Sequence, residues 1–137
     1  MITNKGLKPL TLFIELDDVF LHSFLCDENF GFMANPNAKD PEHEFLIESL
    51  NKPVLLYLRD HMDDFLNYLR ESKPYIETIL YTTALPIYTD RVLSIVDPGR
   101  EVFDHVLYQN ACYVFEKKDE DIHFMVKDIT RFKNRPI

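Results

Sequence analysis

Four polar side chains of this sequence have the types needed to handle a phosphate group, and each comes soon after an apolar run: Glu15, Asp17, Thr82 and Lys127. One carboxylate can attack phosphorus while another moves a proton, and a hydroxyl and an ammonium group can hold phosphate oxygens. The two carboxylates also offer the oxygen ligands that Mg²⁺ prefers. The set is compatible with phosphoryl transfer. The alternative is a group of solvated loop residues, since acidic clusters after strands are commonly exposed.

The apolar runs that precede these residues predict the strands of a parallel sheet. Strands are predicted at residues 12–16, 75–81 and 106–108, and they alternate with two helical segments. Such alternation is typical of an α/β domain with a mostly parallel sheet. Because reactive groups of these sheets lie beyond the carboxyl ends of the strands, we expect Glu15 to Asp18 and Thr82 to lie together at one edge.

Two segments have the apolar spacing of amphipathic helices. Four residues of the first follow the i, i+3, i+4, i+7 pattern: Met62, Phe65, Leu66 and Leu69. Pro74 ends this helix, because proline cannot continue the backbone hydrogen bonds. The second helix is predicted to begin at Pro86, a residue that suits a first helical turn, and to end at Asp97.

Short apolar runs interrupted by turn residues predict two β-hairpins. The first occupies about residues 45–58 and is interpreted as a small insertion in the α/β domain, and the second joins residues 112–115 to 122–126. Residues 26–44 lie between the first predicted strand and the first hairpin. This segment contains prolines and several charged residues, which predict a long surface loop. Phe30 and Phe32 of this loop are expected to fold back on the core, since large exposed apolar patches are uncommon.

Length and charge limit the class of protein. The chain has 137 residues, so residues 1–137 are expected to form a single domain. Its 23 acidic and 15 basic side chains give a net charge of -8, which phosphate backbones repel, so no nucleic-acid partner is predicted. A basic peptide suits this charge better. No apolar run approaches the roughly 20 residues of a membrane-spanning helix, so no membrane contact by this domain is expected.

Several short motifs occur in an order and spacing that indicate a family. The segment Leu12 to Ser23 resembles L-D-L-D-E-T-L-V-H-S, Leu80 to Leu85 resembles F-T-A-S, and Phe124 to Ile129 resembles Y-V-K-D-L. Shorter matches lie between them: Tyr88 with Asp90, Asp97 with Pro98, and Tyr108 to Cys112. Together they resemble the phosphatases that act on the RNA polymerase II C-terminal domain, which belong to the haloacid-dehalogenase superfamily. The resemblance implies a three-layer, Rossmann-like α/β fold with a central, mostly parallel sheet and a small hairpin insertion.

The same resemblance implies a role for each candidate residue. Glu15 occupies the position of the attacking aspartate, which also binds Mg²⁺, and Asp17 occupies that of the general acid/base beside the metal. Thr82 and Lys127 occupy the phosphate-binding positions. The implied activity is Mg²⁺-dependent hydrolysis of phosphoserine or phosphothreonine in a phosphoprotein, in the nucleus or cytoplasm.

Three departures from the family pattern predict impaired catalysis. Glutamate replaces the attacking aspartate at Glu15, and Val19, which has no hydroxyl, replaces the threonine of the first motif. The family pattern continues with a last core strand that carries a D-N or D-D pair for the metal. The sequence reaches Ile137 about where that strand should begin. Residues 1–137 are therefore expected to lack it, and the alternatives are a protein that continues past Ile137 or an incomplete metal site.

A glutamate at the attacking position also resembles another branch of the same fold. The fifty-kilodalton receptor subunit of the mitochondrial inner-membrane presequence translocase can carry L-E-L there, where this sequence reads Ile14-Glu15-Leu16. That branch implies a non-catalytic module that binds basic presequences on the intermembrane-space side of the inner membrane. The hairpin insertion favours the small phosphatases instead, so both alternatives stay open at this point.

Overall fold

The computed structural model describes residues 8–25, 39–117 and 122–132, and the predicted loop residues Phe30 and Phe32 lie outside this part of the chain. Eight strands and two α-helices occur in the described residues: β1 (Leu10–Ile14), β2 (Leu21–Leu25), β3 (His43–Ile47), β4 (Lys52–Leu58), α1 (Met62–Ser72), β5 (Ile76–Tyr81), α2 (Pro86–Val96), β6 (His105–Leu107), β7 (Tyr113–Lys117) and β8 (Ile122–Val126). They belong to two compact units, one of Met1–Glu15 with Asp63–Ile137 and one of Leu16–Met62.

The first unit contains a parallel sheet in the order β1-β5-β6. Strands β1 and β5 pair over five residues, from Leu10 opposite Ile76 to Ile14 opposite Leu80. The central strand β5 is buried on both faces in its second half, since its last four residues, from Thr78 to Tyr81, are at most 2% exposed. A parallel sheet with helical connections confirms the predicted α/β fold, and its parallel strands bring their carboxyl ends to one edge.

The two helices of the α/β unit lie between strands, as the apolar spacing predicted. Helix α1 buries Leu66 and Leu69, but Phe65 is 41% exposed, so its assignment to the apolar stripe was wrong. Helix α2 begins at Pro86 and buries Val92 and Leu93. A helix of this length is marginal alone in water, so burial of these side chains against the rest of the unit supplies most of its stability.

The antiparallel pair β7 and β8 forms the predicted second hairpin. Tyr113 lies opposite Val126, and Phe115 lies opposite Phe124, so these four side chains share one face of the ribbon. Strand β7 begins one residue later than the apolar run predicted and continues two residues further, to Lys117, whereas β8 has the predicted bounds. This hairpin matters for function because Lys127 follows β8 directly.

The second unit is an antiparallel sheet in the order β2-β4-β3. Strands β3 and β4 form the predicted first hairpin, which turns through Asn51 in the left-handed conformation with φ 48°. One face of this sheet is buried, with Phe45, Val54 and Leu56 between 0% and 5% exposed. Alternate residues along each strand therefore form the apolar face that stabilises this unit.

In the second unit one sequence prediction was wrong and one strand was missed. The predicted loop ends before His43, where β3 begins, and does not extend to residue 44. Strand β2 was not predicted, because Leu21, His22 and Ser23 do not alternate between apolar and polar residues. Pairing with β4 stabilises this strand despite its irregular sequence.

Candidate active site

The carboxyl ends of β1 and β5 bring two of the predicted residues to the same edge of the sheet. Glu15 follows the last residue of β1, and Thr82 follows the last residue of β5. Ile14 lies opposite Leu80 in the parallel register, so the chain leaves both strands at the same level. The expected convergence of Glu15 and Thr82 is thus what the strand pairing produces.

A third predicted residue reaches this edge through a direct contact. The ammonium group of Lys127 forms an ion pair with the Oε2 atom of Glu15. The two side chains are only 28% and 23% exposed, so the pair is largely sheltered from water. Tertiary structure therefore joins a residue that follows the first described strand to one that follows the last described strand.

The environment of Thr82 gives its side chain a structural role. Its backbone N–H donates to the carbonyl of Leu107 at 2.9 Å, and its hydroxyl accepts a hydrogen bond from the N–H of Ala84 at 3.1 Å. Thr82 is 0% exposed. The hydroxyl thus stabilises the turn that leads into α2, and it retains a proton that it can donate to an acceptor.

The segment after Lys127 is held by contacts that the sequence analysis did not predict. Asp128 accepts hydrogen bonds from the N–H of Thr130 at 2.9 Å and from its hydroxyl at 2.5 Å. The phenol of Tyr81 and the guanidinium of Arg131 both donate to the carbonyl of Ala111, at 2.6 and 3.3 Å. The sequence signal was the pair Asp128 and Thr130, because aspartate often accepts a bond from the backbone two residues later.

Aromatic packing connects this segment to β1. The rings of Phe13 and Phe132 lie with their centroids 5.0 Å apart and tilted by 54°. Phe13 is two residues before Glu15, and Phe132 is five residues after Lys127. The two backbones that carry the ion pair are therefore tied together by an apolar contact near it.

Asp17 belongs to the second unit and lies in a tight turn. The turn is closed by hydrogen bonds from the N–H of Phe20 to Leu16 at 3.1 Å and from the N–H of Asp18 to Leu21 at 2.7 Å. Asp18 has φ 63°, which is uncommon for a residue with a side chain. Within this unit the backbone holds Asp17 half-buried, directly before that left-handed residue.

Side chains around Asp18 support this turn. The guanidinium of Arg59 donates to the Asp18 carbonyl at 2.7 Å, and Nδ1 of His22 lies 2.6 Å from its carboxylate. Both side chains therefore help to hold the turn around Asp18.

Other motif residues of the first unit also form internal supports. The carboxylate of Asp90 accepts hydrogen bonds from the phenol of Tyr108 at 2.7 Å and from Arg100 at 3.0 Å. Burial and this carboxylate together raise the pKa of Tyr108 above its ordinary value. Its proton is therefore held in the bond to Asp90, which links α2 to the chain after β6.

Burial shifts the pKa values of two further titratable groups near this edge, Lys127 and Cys112. It lowers the pKa of the Lys127 ammonium below its ordinary value, while the neighbouring Glu15 carboxylate favours the charged form. Burial raises the pKa of the Cys112 thiol, whose sulfur lies 3.7 Å from the carbonyl of Thr82. Cys112 is therefore a packing residue, because a thiol with a raised pKa is a poor nucleophile.

The described residues supply only part of a magnesium site. Glu15 offers a carboxylate of the kind Mg²⁺ prefers, but Mg²⁺ usually needs near-octahedral oxygen coordination. In residues 8–25, 39–117 and 122–132, no three His, Cys, Asp or Glu side chains form a group that could hold a metal ion. Water and phosphate oxygens would have to complete the coordination of a magnesium ion here, and we assign no reaction step to a metal ion. Across the same ranges, no helix combines the length and apolar character needed to cross a membrane.

Comparison with known proteins gives consistent matches. The profile of the NLI interacting factor-like phosphatases matches residues 10–137. A probable C-terminal domain small phosphatase of Dictyostelium discoideum is 32% identical over 80% of this chain and 31% of its own length. The mitochondrial import inner membrane translocase subunit TIM50 of Candida albicans is 26% identical over 89% of this chain and 21% of its own length. The chain thus spans less than a third of these relatives.

Among solved structures, the fission yeast RNA polymerase II CTD phosphatase Fcp1 bound to beryllium fluoride is similar to this chain. It is 19% identical, with a TM-score of 0.49, over 77% of this chain and 30% of that one.

Proposed function

Because the chain belongs to the NLI interacting factor-like phosphatase family, we propose that it is a protein-phosphatase-like domain that binds phosphoserine or phosphothreonine and hydrolyses it weakly or not at all. The observation that carries this proposal is the ion pair between Glu15 and Lys127. This contact supports the proposal, because the resemblance assigns Glu15 to the position of the attacking carboxylate and Lys127 to a phosphate-binding position. Binding and cleavage of a phosphate group use different atoms, so one can survive without the other.

The geometry of Glu15 argues for slow turnover. The extra methylene of glutamate lengthens the arm by about 1.5 Å, one carbon–carbon bond. A misplacement of about 1 Å can cost on the order of 10²-fold in rate. In addition, Val19 has no hydroxyl with which to hold an oxygen and is 40% exposed. Both substitutions act on the attack step and leave the anion-binding groups Thr82 and Lys127 in place.

The remaining roles follow from the resemblance and stay part of the proposal. Lys127 would neutralise a phosphate oxygen, and the Thr82 hydroxyl would support the turn whose N–H groups face that oxygen. Asp17 would move the proton to or from the leaving group. Magnesium dependence is implied by the family, with Glu15 and Asp17 as its candidate ligands, and the partner is then a phosphoprotein in the nucleus or cytoplasm.

The direct test is phosphate release from a phosphoserine peptide at millimolar Mg²⁺. We expect a rate well below the ordinary enzyme range, which begins at roughly 1 s⁻¹. The variant Glu15→Asp restores the family residue and should raise any residual rate, whereas Lys127→Ala should remove it. A kcat in the ordinary range for the unaltered chain would refute the claim of impairment.

A second candidate function is recognition of a basic targeting peptide without catalysis, at the mitochondrial inner membrane. Two observations favour it: the net charge of -8 and the similarity to the TIM50 subunit named above. A basic amphipathic peptide should then bind more tightly than a scrambled peptide of the same composition. Its affinity should fall between 0.1 and 1 M salt, over which the Debye length shrinks from about 10 to 3 Å. Equal binding of the two peptides would remove this alternative.

A further inference from the structure

The contact between Glu15 and Lys127 has a consequence for which anions this site accepts. Lys127 carries the positive charge predicted to hold a phosphate, but the Oε2 atom of Glu15 already occupies its ammonium group. An incoming anion must therefore compete with the chain's own carboxylate for the three N–H donors of this ammonium group. We propose that Glu15 is a built-in competitor that keeps this site closed to weakly charged anions. This inference rests on the proposed function, because it takes Lys127 as the anion-binding group.

Both partners of the ion pair are anchored, so the contact is a property of the fold. Glu15 continues directly from β1, which pairs with β5 over five residues. Lys127 continues directly from β8 and is followed by the turn that Asp128 closes with Thr130. The ring contact between Phe13 and Phe132 joins the two segments. Neither backbone needs to move to make the pair, so little conformational entropy is lost when the ion pair forms.

Shelter from water makes the competition effective. An exposed ion pair contributes little, because water and salt screen both charges. Here the side chains of Lys127 and Glu15 are only 28% and 23% exposed, so an anion that replaces Glu15 must offer at least as much charge. Burial also disfavours an ammonium that has no anion nearby. Lys127 therefore favours an anion beside it, and Glu15 competes with any ligand for that place.

This arrangement selects a class of ligand. A monoanionic carboxylate offers the same charge as Glu15 and gains nothing by replacing it. A phosphate monoester carries nearly two charges at pH 7, because its second pKa is about 6, and it has three acceptor oxygens. The site should then respond to dianionic phosphate and ignore carboxylates such as acetate.

The experiment measures affinity by calorimetric titration of inorganic phosphate into the chain without metal, and of acetate as the monoanionic probe. The variant Glu15→Gln keeps the shape of the side chain and removes its charge, so phosphate should bind about tenfold or more tightly, since one nearby negative charge is gone. Glu15→Asp keeps the charge on a shorter arm and should give a smaller gain. The double change of Glu15→Gln with Lys127→Ala should lose the gain.

A matched control separates this contact from the general loss of one negative charge. Glu116 lies on β7, is 52% exposed and faces His123 at 3.7 Å, so Glu116→Gln changes the net charge equally and should leave phosphate affinity unaltered. Thermal unfolding followed by circular dichroism verifies that each variant is folded.

The outcomes distinguish the two proposals. Tighter phosphate binding by Glu15→Gln than by the native chain, with Glu116→Gln unchanged, supports the competitor role. If Lys127→Ala weakens binding while Glu15→Gln leaves it unchanged, the anion site stands and the competitor role is wrong. If Glu15→Gln and Glu116→Gln strengthen binding equally, the effect is one of net charge and the competitor role is again wrong. No phosphate binding by any folded variant would overturn the anion site itself, and the proposed function with it.

Discussion

Replacement of the buried Asp97 carboxylate should destabilise the first unit more than any exposed acidic substitution. Asp97 is 1% exposed and follows α2 directly. Its carboxylate accepts the N–H groups of Glu101 at 3.1 Å and Val102 at 3.0 Å, and it faces the guanidinium of Arg70 at 3.4 Å. Asp97→Ala removes all three bonds and leaves the Val102 N–H without its acceptor in a buried position.

The expected loss of stability in Asp97→Ala follows from the hydrogen-bond donors that lose their acceptor. A buried donor without a partner costs about 1–3 kcal/mol, and Val102 is 0% exposed, so water does not readily replace the lost acceptor. Adding the weaker bonds to Glu101 and Arg70 gives a loss of about 3 kcal/mol in the free energy of unfolding. With a urea m-value of about 2 kcal/mol/M, the midpoint should fall by about 1.5 M. Asp97→Asn keeps one acceptor and should lose about half as much.

Urea unfolding followed by far-ultraviolet circular dichroism measures this loss, since the chain has no tryptophan. Asp40→Ala is the matched control, because Asp40 is exposed and its loss should change stability by less than about 0.5 kcal/mol. If Asp97→Ala were as stable as Asp40→Ala within that margin, the reasoning from buried hydrogen bonds would be refuted.

Three further predictions concern pH, packing and metal. Burial alone would raise the pKa of the Asp104 carboxyl, but the Thr78 N–H and two lysines outweigh it and hold that pKa below its ordinary value. The resulting stability is present above about pH 4, the usual pKa of an unfolded aspartate, and is lost as the pH falls through the lower folded pKa. The advantage of the native chain over Asp104→Asn in urea unfolding should therefore shrink below pH 4, and a constant advantage would contradict the assignment. Phe132→Ala should reduce the free energy of unfolding by about 2 kcal/mol, because its ring packs on Phe13; urea midpoints check this, and an unchanged midpoint would mean that the contact contributes nothing. Millimolar Mg²⁺ should tighten phosphate binding in calorimetry, because a cation offsets the negative charge of Glu15, and equal affinity after addition of a chelator would contradict it.

The sequence by itself determined the strands of the parallel sheet, the two helices and the residues that end these helices. The apolar runs before Glu15 and Thr82, alternating with helices, predicted a parallel sheet, and strands β1 and β5 pair in that way. The spacing of Leu66 and Leu69 predicted α1, and Pro86 predicted the start of α2. These signals are local, because the period of apolar residues and the backbone limits of proline act within a few positions of the chain.

Tertiary structure alone decided which distant groups meet. No local pattern pairs Glu15 with Lys127, which lie at opposite ends of the described chain, and only the hairpin of β7 and β8 with its following turn brings them into contact. The same holds for β2, whose irregular sequence becomes a strand only because β4 offers it hydrogen-bond partners. Strand and helix signals depend on neighbours in sequence, whereas the charge, burial and occupancy of a site depend on neighbours in space. The sequence could therefore nominate Lys127 as an anion-binding residue, but only the folded chain shows that a carboxylate already occupies it.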